Sequence, residues 1–306
     1  SGTAALNIAV SLLDVKDKEV IIPSLSFIST ANCILMNSGK PVFADINPDT
    51  LCIDPETIAK LITKNTKAVI PVHFGGMPCN IEKILDVADK YGIKVIEDAA
   101  HAAGASYNKN KIGSHGFAVC FSFHPVKNLA MPTGGLIAIN DKNHKKIRDS
   151  IQAKRWCGIE NRNDDSYEIN ELGDNYYMNE FSAGLGLIQL KKLDSLNRIR
   201  RNIAKRYYNE IELEQKMPYV AGSSYHFYWI ITRNRDKIMQ KLKQNGIETG
   251  IHYRPIHKMT MYNTTNKLPI TENIGKNIIS LPTHPNLSEN DVTRIISLVN
   301  KFIRMN

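Results

Sequence analysis

The run Ile93-Lys94-Val95-Ile96-Glu97, followed at once by Asp98-Ala99-Ala100-His101, decides how this sequence folds. Its apolar residues are β-branched and adjacent, the pattern of a strand buried on both faces rather than one alternating between core and water. Such strands belong to parallel sheets covered by helices, and ligands of those sheets sit outside the carboxyl ends of the strands. Asp98 falls at that end. A carboxylate there can stabilise a protonated ring nitrogen of a ligand, or it can cap a helix. His101 beside it, taken alone, reads more readily as a packed histidine than as a functional one.

Working outward, residues 19–22, 67–73, 117–123 and 135–139 repeat the same Val-, Ile-, Phe- and Ala-rich pattern, with Pro71 weakening the second of them. Between the runs, residues 27–36, 55–62 and 81–91 space apolar positions by three and four, as amphipathic helices do. The alternation predicts an α/β fold of three layers around a mostly parallel sheet. From Met178 a single helical stretch runs through Leu185, Ile188, Leu193, Ile199 and Ile203 and links to a smaller C-terminal α+β part. That part reads as a strand at 226–232, a helix at 237–245, a loop rich in His and Pro, and a last helix to Ile303 opened by a capping box from Ser288 to Asp291. The expected division is residues 1–190 and residues 191–306.

At 306 residues, with 42% hydrophobic and 23% charged, the chain is long enough to bury a large core. The 39 Lys and Arg against 30 Asp and Glu give +9. The densest basic groups, 142–148 and 191–206, are interleaved with apolar residues at helical spacing, which favours solvated helix faces over a nucleic-acid surface. Five cysteines, odd in number and never spaced C-x-x-C, argue against a disulfide scaffold or a zinc site. No apolar stretch approaches a membrane span of about 18 residues and no signal-peptide pattern opens the sequence, so a cytoplasmic location is expected.

Three further segments carry chemistry. Ser1-Gly2-Thr3-Ala4-Ala5-Leu6 leads small residues straight into a helix, which presents backbone N–H groups and a hydroxyl suited to a phosphate, or serves only as an N-cap. Phe121-Ser122-Phe123-His124-Pro125-Val126-Lys127-Asn128 places a lysine just past a buried strand; a partly desolvated amine there is a nucleophile for imine formation, unless it reaches to water. His252-Tyr253-Arg254-Pro255-Ile256-His257 puts two histidines and an arginine in a Pro-stiffened loop that can bind an anionic substrate, or is only a surface loop. Metal ligation is disfavoured without carboxylates nearby.

In this order, and with Pro41-Val42-Phe43-Ala44-Asp45-Ile46, Thr66-Lys67-Ala68-Val69-Ile70-Pro71-Val72-His73, Leu172-Gly173-Asp174-Asn175-Tyr176-Tyr177-Met178, Ser224-Tyr225-His226 and Leu281-Pro282, the sequence resembles the DegT/DnrJ/EryC1/StrS family of pyridoxal-phosphate-dependent sugar aminotransferases. The resemblance implies the type I aminotransferase fold, with residues 1–190 as the cofactor-binding domain, here without the segment that relatives carry ahead of the phosphate motif. It implies that Lys127 carries pyridoxal phosphate as an imine and moves the substrate proton, and that Asp98 pairs with the pyridinium nitrogen. It places His101 and Phe27 at the cofactor ring and Gly2, Thr3 and Ser122 at its phosphate, and the loop residues His252, Tyr253 and His257 are the candidates for the substrate. Asn175 matches a residue that in relatives reaches the phosphate held by the neighbouring subunit, so a homodimer with shared active sites is expected.

The implied reaction moves an amino group from glutamate or glutamine, by way of pyridoxamine phosphate, to a nucleotide-linked keto sugar, a 4-keto-6-deoxy hexose, for surface polysaccharide or glycan precursors. No metal, nucleic acid or membrane partner is expected. Two departures bear on substrate preference: Thr133 stands where the family commonly has Glu before Gly134-Gly135, and Tyr177 where its arginine follows Asn-Tyr. Two other functions stay open, a sugar dehydratase on the same cofactor and a catalytically silent cofactor-binding regulator. Relatives of the dehydratase kind carry histidine in place of the lysine, and Lys127 weighs against it.

Overall fold

Six strands make the central sheet of the computed structural model, which describes residues 1–262 and 264–305. They are β1 (Glu19–Pro23), β2 (Lys40–Ala44), β3 (Thr66–Val69), β4 (Lys94–Asp98), β5 (Ala118–Ser122) and β6 (Gly135–Ile139), in the spatial order β2-β1-β3-β4-β5-β6. The first five run parallel, and β6 returns antiparallel along β5 at the edge.

The helices α1 (Gly2–Ser11), α2 (Ser29–Met36), α3 (Pro55–Leu61) and α4 (Ile81–Tyr91) cover both faces. Side-chain alternation along β1 decides which face each covers. Val20 and Ile22 pack with Leu6, Ala9 and Val10 of α1 and Ala31 and Ile34 of α2. Ile21, pointing the other way, packs with Ile58 of α3 and with Ile81 and Ile84 of α4. This is the expected three-layer arrangement. Local signals set the helix ends: the Asn80 side chain accepts from Lys83 N at the start of α4, and Gly92 ends it in the left-handed region at φ 66.

The basic run near residue 145 forms α5 (His144–Arg155), and the long stretch forms α6 (Glu180–Glu210), an unbroken helix within which position 190 falls. Beyond it come β7 (Tyr228–Ile231), α7 (Arg235–Gln244), α8 (Pro269–Asn277), β8 (Ile278–Leu281) and α9 (Glu289–Arg304). The core under α3 and α4 continues through Ile203 and Tyr207 of α6 to Trp229, Ile279 and Val299. The capping box of α9 is made as read: Asp291 N donates to Ser288 Oγ at 3.2 Å and Ser288 N to Asp291 Oδ2 at 2.9 Å.

Some elements differ from expectation. The strand read at 67–73 ends at Val69, because Pro71 lacks an N–H for the ladder; its carbonyl still accepts from Asp98 N at 2.9 Å. Strand β2 was not read, since Lys40-Pro41 at its start suits an edge strand and masks the pattern. Neither α8 nor β8 was read: both are short, and they follow each other without a turn.

Candidate active site

A cavity of about 330 Å³ opens at the carboxyl ends of β1, β4 and β5, lined among others by Ser1, Gly2, Thr3, Phe27, Asp98, His101, Ser122, Lys127, His252 and Tyr253. Nine of the eleven residues assigned to the site from sequence therefore face one space.

The first turn of α1 sits directly on the end of β5. Gly2 is required there, for a Cβ would come within 2.6 Å of Ser122 Cβ. Ser1 caps the helix by accepting from Ala4 N at 3.1 Å, and Thr3 Oγ1 pairs with Ser29 Oγ at 2.7 Å. Free N–H groups at a helix start together with hydroxyls make an anion seat.

Asp98 ends β4, buried, and held by a relay. Ser26 Oγ lies 2.8 Å from Thr30 Oγ1, Thr30 donates to Asp98 Oδ2 at 2.8 Å, and Ala100 N donates to Oδ1 at 3.1 Å. Burial pushes its carboxyl pKa up, while the Thr30 and Ala100 bonds and the Lys127 charge work against that. Burial also brings the Lys127 amine down from 10.5 to about 8, with Asp98 pulling the other way. The amine is thus available in neutral form near physiological pH, half-buried beside a carboxylate.

Four imidazoles line the same space, and burial keeps three of them neutral. His101 and His226 are pushed well below the ordinary histidine value and His252 to about 4. Gly75 N donates to His101 Nδ1 at 3.3 Å, so the ring hydrogen sits on Nε2, which meets Tyr253 Oη at 3.1 Å. His101 stacks on His226 with centroids 4.8 Å apart. His252 Nδ1 lies 2.8 Å from Ser280 Oγ, and its ring stacks on Phe227 at 4.3 Å.

His226 is a cavity residue that sequence reasoning missed as part of the site, and its partners explain its orientation. The Asn128 amide nitrogen donates to Asn197 Oδ1 and to Ser224 O, both at 2.8 Å, which leaves Asn128 Oδ1 to accept from His226 Nδ1 at 3.1 Å. Asn197, on α6, donates in turn to Ala103 O at 2.9 Å. The acceptor Nε2 of His226 is therefore the nitrogen left without a partner. The only sequence signal was a histidine within Ser224-Tyr225-His226, placed just ahead of an apolar strand. Thr30 gave none, being one small residue on a helix face.

Two assignments fall outside this cavity. His257 is fully buried. Its Nδ1 lies 2.6 Å from Ser24 Oγ and its Nε2 3.3 Å from Glu272 Oε1, so it pins the loop to the end of β1 and does not line the substrate space, a correction to the sequence reading. The 3₁₀ turn Ile256–Lys258 rotates it away from His252. Asn175 is exposed, in a bridge with Trp156 before α6, and contacts no part of its own chain's cavity. Among the described residues no group of three or more His, Cys, Asp or Glu is placed to hold a metal ion.

The sequence profile of the DegT/DnrJ/EryC1/StrS aminotransferase family matches residues 1–300. An uncharacterised protein of Methanocaldococcus jannaschii is 35% identical, covering 100% of this chain and 85% of the relative. The structure is similar to that of the Helicobacter pylori aminotransferase PseC, involved in the biosynthesis of pseudoaminic acid, with a TM-score of 0.93 at 29% identity over 100% of this chain and 86% of that one. It is also similar to a Streptococcus pneumoniae protein described as a candidate sugar aminotransferase and solved in PLP and PMP forms, with a TM-score of 0.94 at 27% identity, covering 100% of this chain and 85% and 86% of the PMP- and PLP-form chains.

Proposed function

This chain belongs to the DegT/DnrJ/EryC1/StrS aminotransferase family, and from that premise we propose that it transfers an amino group from glutamate or glutamine to the keto group of a nucleotide-linked deoxy sugar. A 4-keto-6-deoxy hexose is the favoured acceptor, and supply of surface polysaccharide or glycan precursors the favoured role. The observation that carries it is the pairing, across one cavity, of the Lys127 amine near pKa 8 with the buried Asp98 carboxylate below the anion seat of α1.

Pyridoxal phosphate is the family's cofactor, and the residues present fit it. The missing Cβ of Gly2 lets the start of α1 pack directly on Ser122, so that helix start and the Ser122 hydroxyl share one cavity with the buried acid Asp98. When bound, the cofactor supplies an electron sink that lets a bond at the substrate α-carbon break. Gly2, Thr3 and Ser122 would hold its phosphate, and Asp98 would keep a proton on its ring nitrogen. Phe27 and His101 would flank the ring. Lys127 Nζ would take the proton from the donor's α-carbon and return it to C4′. His252 and Tyr253 would meet the substrate from the C-terminal loop. The presence of Lys127 disfavours the dehydratase reading.

A homodimer with shared sites belongs to the same proposal. Asn175 does not line its own chain's cavity, and the segment that carries it and the start of α6 hold apolar side chains open to water: Leu172 is 92% exposed, Phe181 88% and Leu187 64%. Patches of that kind mark association surfaces. The five cysteines are unpaired, which supports a reducing cytoplasmic compartment, and among the described residues no helix is long and apolar enough to cross a membrane.

The test is amino transfer from glutamate and from glutamine to a panel of nucleotide keto sugars and to ordinary 2-oxo acids. Product formed with at least one keto sugar is expected. Amination of oxo acids alone, with every sugar refused, would overturn the sugar assignment.

A further inference from the structure

Beside the cofactor cavity lies a second cleft, of about 620 Å³, which shares Val126, His226 and His252 with it as a common wall. Arg200 of α6 lines this cleft and is 7% exposed. Its Nη1 donates to His226 O at 3.3 Å and Thr283 O at 3.0 Å. Its Nε is buried and makes no hydrogen bond, and among the described residues only Nη1 of the guanidinium is hydrogen-bonded. Glu248 and Asp291 also line the cleft, but Asp291 is engaged by Ser288, and neither pairs with Arg200.

Nη1 is thus spent on the backbone, Nε is enclosed, and the Nη2 end of the guanidinium is left without a partner. That end offers charged N–H donors, which an oxygen of a carboxylate or a phosphate accepts strongly. A buried guanidinium without a counter-charge is costly in a protein interior, and a bound anion removes that cost. Arg294, also in the lining, adds positive charge toward solvent.

We propose that Arg200 holds an oxyanion of a substrate in this cleft, next to the reacting cavity. It is either a carboxylate of the amino donor or the diphosphate of the nucleotide-linked acceptor; both sources follow from the aminotransferase function proposed above. The shared wall of His226 ties the two spaces together: its carbonyl accepts from Arg200, and its ring faces the cofactor cavity.

Calorimetric titration of the pyridoxal-phosphate-loaded protein tests this, since the loaded cofactor fills the other anion seat. The probes are inorganic pyrophosphate and glutarate, a dicarboxylate with no amine. Arg200→Gln is expected to weaken one of them about 10- to 100-fold, and Arg200→Lys less. Loss of pyrophosphate binding identifies the diphosphate, and loss of glutarate binding the carboxylate. His284→Glu leaves the bonds of Arg200 intact, puts a negative charge at the exposed rim and should weaken the same probe; it decides the matter if Arg200→Gln does not fold. Wild-type affinity for both probes in folded variants, or no binding of either by the wild type below about 10 mM, would overturn the subsite. Both probes bind without turnover. Arg200-dependent binding in a protein that aminates no sugar would therefore refute the proposed reaction and leave the subsite standing.

Discussion

Covalent capture of pyridoxal phosphate by the cofactor-free protein should follow the protonation of one amine. Burial brings Lys127 from 10.5 to about 8. At pH 7 an amine of that pKa is about one-tenth neutral, against about 0.03% for an ordinary lysine, an advantage of about 300-fold in the attacking form. Capture by Lys127 should therefore rise through a midpoint near pH 8, while the exposed lysines continue to gain well above it. The Asp98 charge raises the Lys127 pKa, so Asp98→Asn should move the midpoint to lower pH. The assay mixes protein and cofactor at a series of pH values, stops with borohydride after a fixed short time, and reads each modified lysine by peptide mass analysis. A midpoint near 10.5, a shift to higher pH in Asp98→Asn, or label on another lysine would each refute the reasoning.

In steady state, Asp98→Asn should slow turnover about a hundredfold or more with little loss of folding, because an amide cannot keep the ring nitrogen protonated; near wild-type kcat would place that role elsewhere. Thr30→Val removes the hydroxyl that donates to Asp98 and so should raise the Asp98 carboxyl pKa further, moving the acid limb of the kcat/KM profile to higher pH. Dilution should release cofactor and dissociate subunits together, and Leu172→Arg or Asn175→Ala should shift that transition to higher protein concentration; a monomer that retains its cofactor would refute shared sites. Ser288→Ala removes one half of the α9 capping box and should cost about 1 kcal/mol in denaturant unfolding, with activity unchanged per folded molecule.

Much of the architecture was legible because it is local. The β-branched run before Asp98 and the three-four spacing of the helices are properties of consecutive residues, and the two periods differ enough to be told apart. Lys127, Asp98 and the opening Ser1-Gly2-Thr3 were legible for a related reason. Each ends or begins an element whose direction is set by its own sequence, and in a parallel sheet those ends converge on one side.

What the sequence could not decide is which side chains meet across long separations. His252 and His257 stand in one short loop with equal claims, yet one faces the cavity and the other pins the loop to Ser24, 233 residues away. The difference is a single 3₁₀ turn, whose rotation depends on what the loop packs against. The Asn128 to Asn197 bond, spanning 69 residues, orients His226, and no periodicity marks any of the three. Arg200 sits in a basic stretch that reads as a solvated helix face. Only the docking of Thr283 and His226 over that turn of α6 buries its guanidinium and leaves its Nη2 end without a partner. By itself the sequence determined which elements form and which reactive groups end them. The tertiary structure decided which polar atoms are buried, which partners satisfy them and which are left to bind a ligand, because burial and hydrogen-bond pairing arise only where separate elements close on one another.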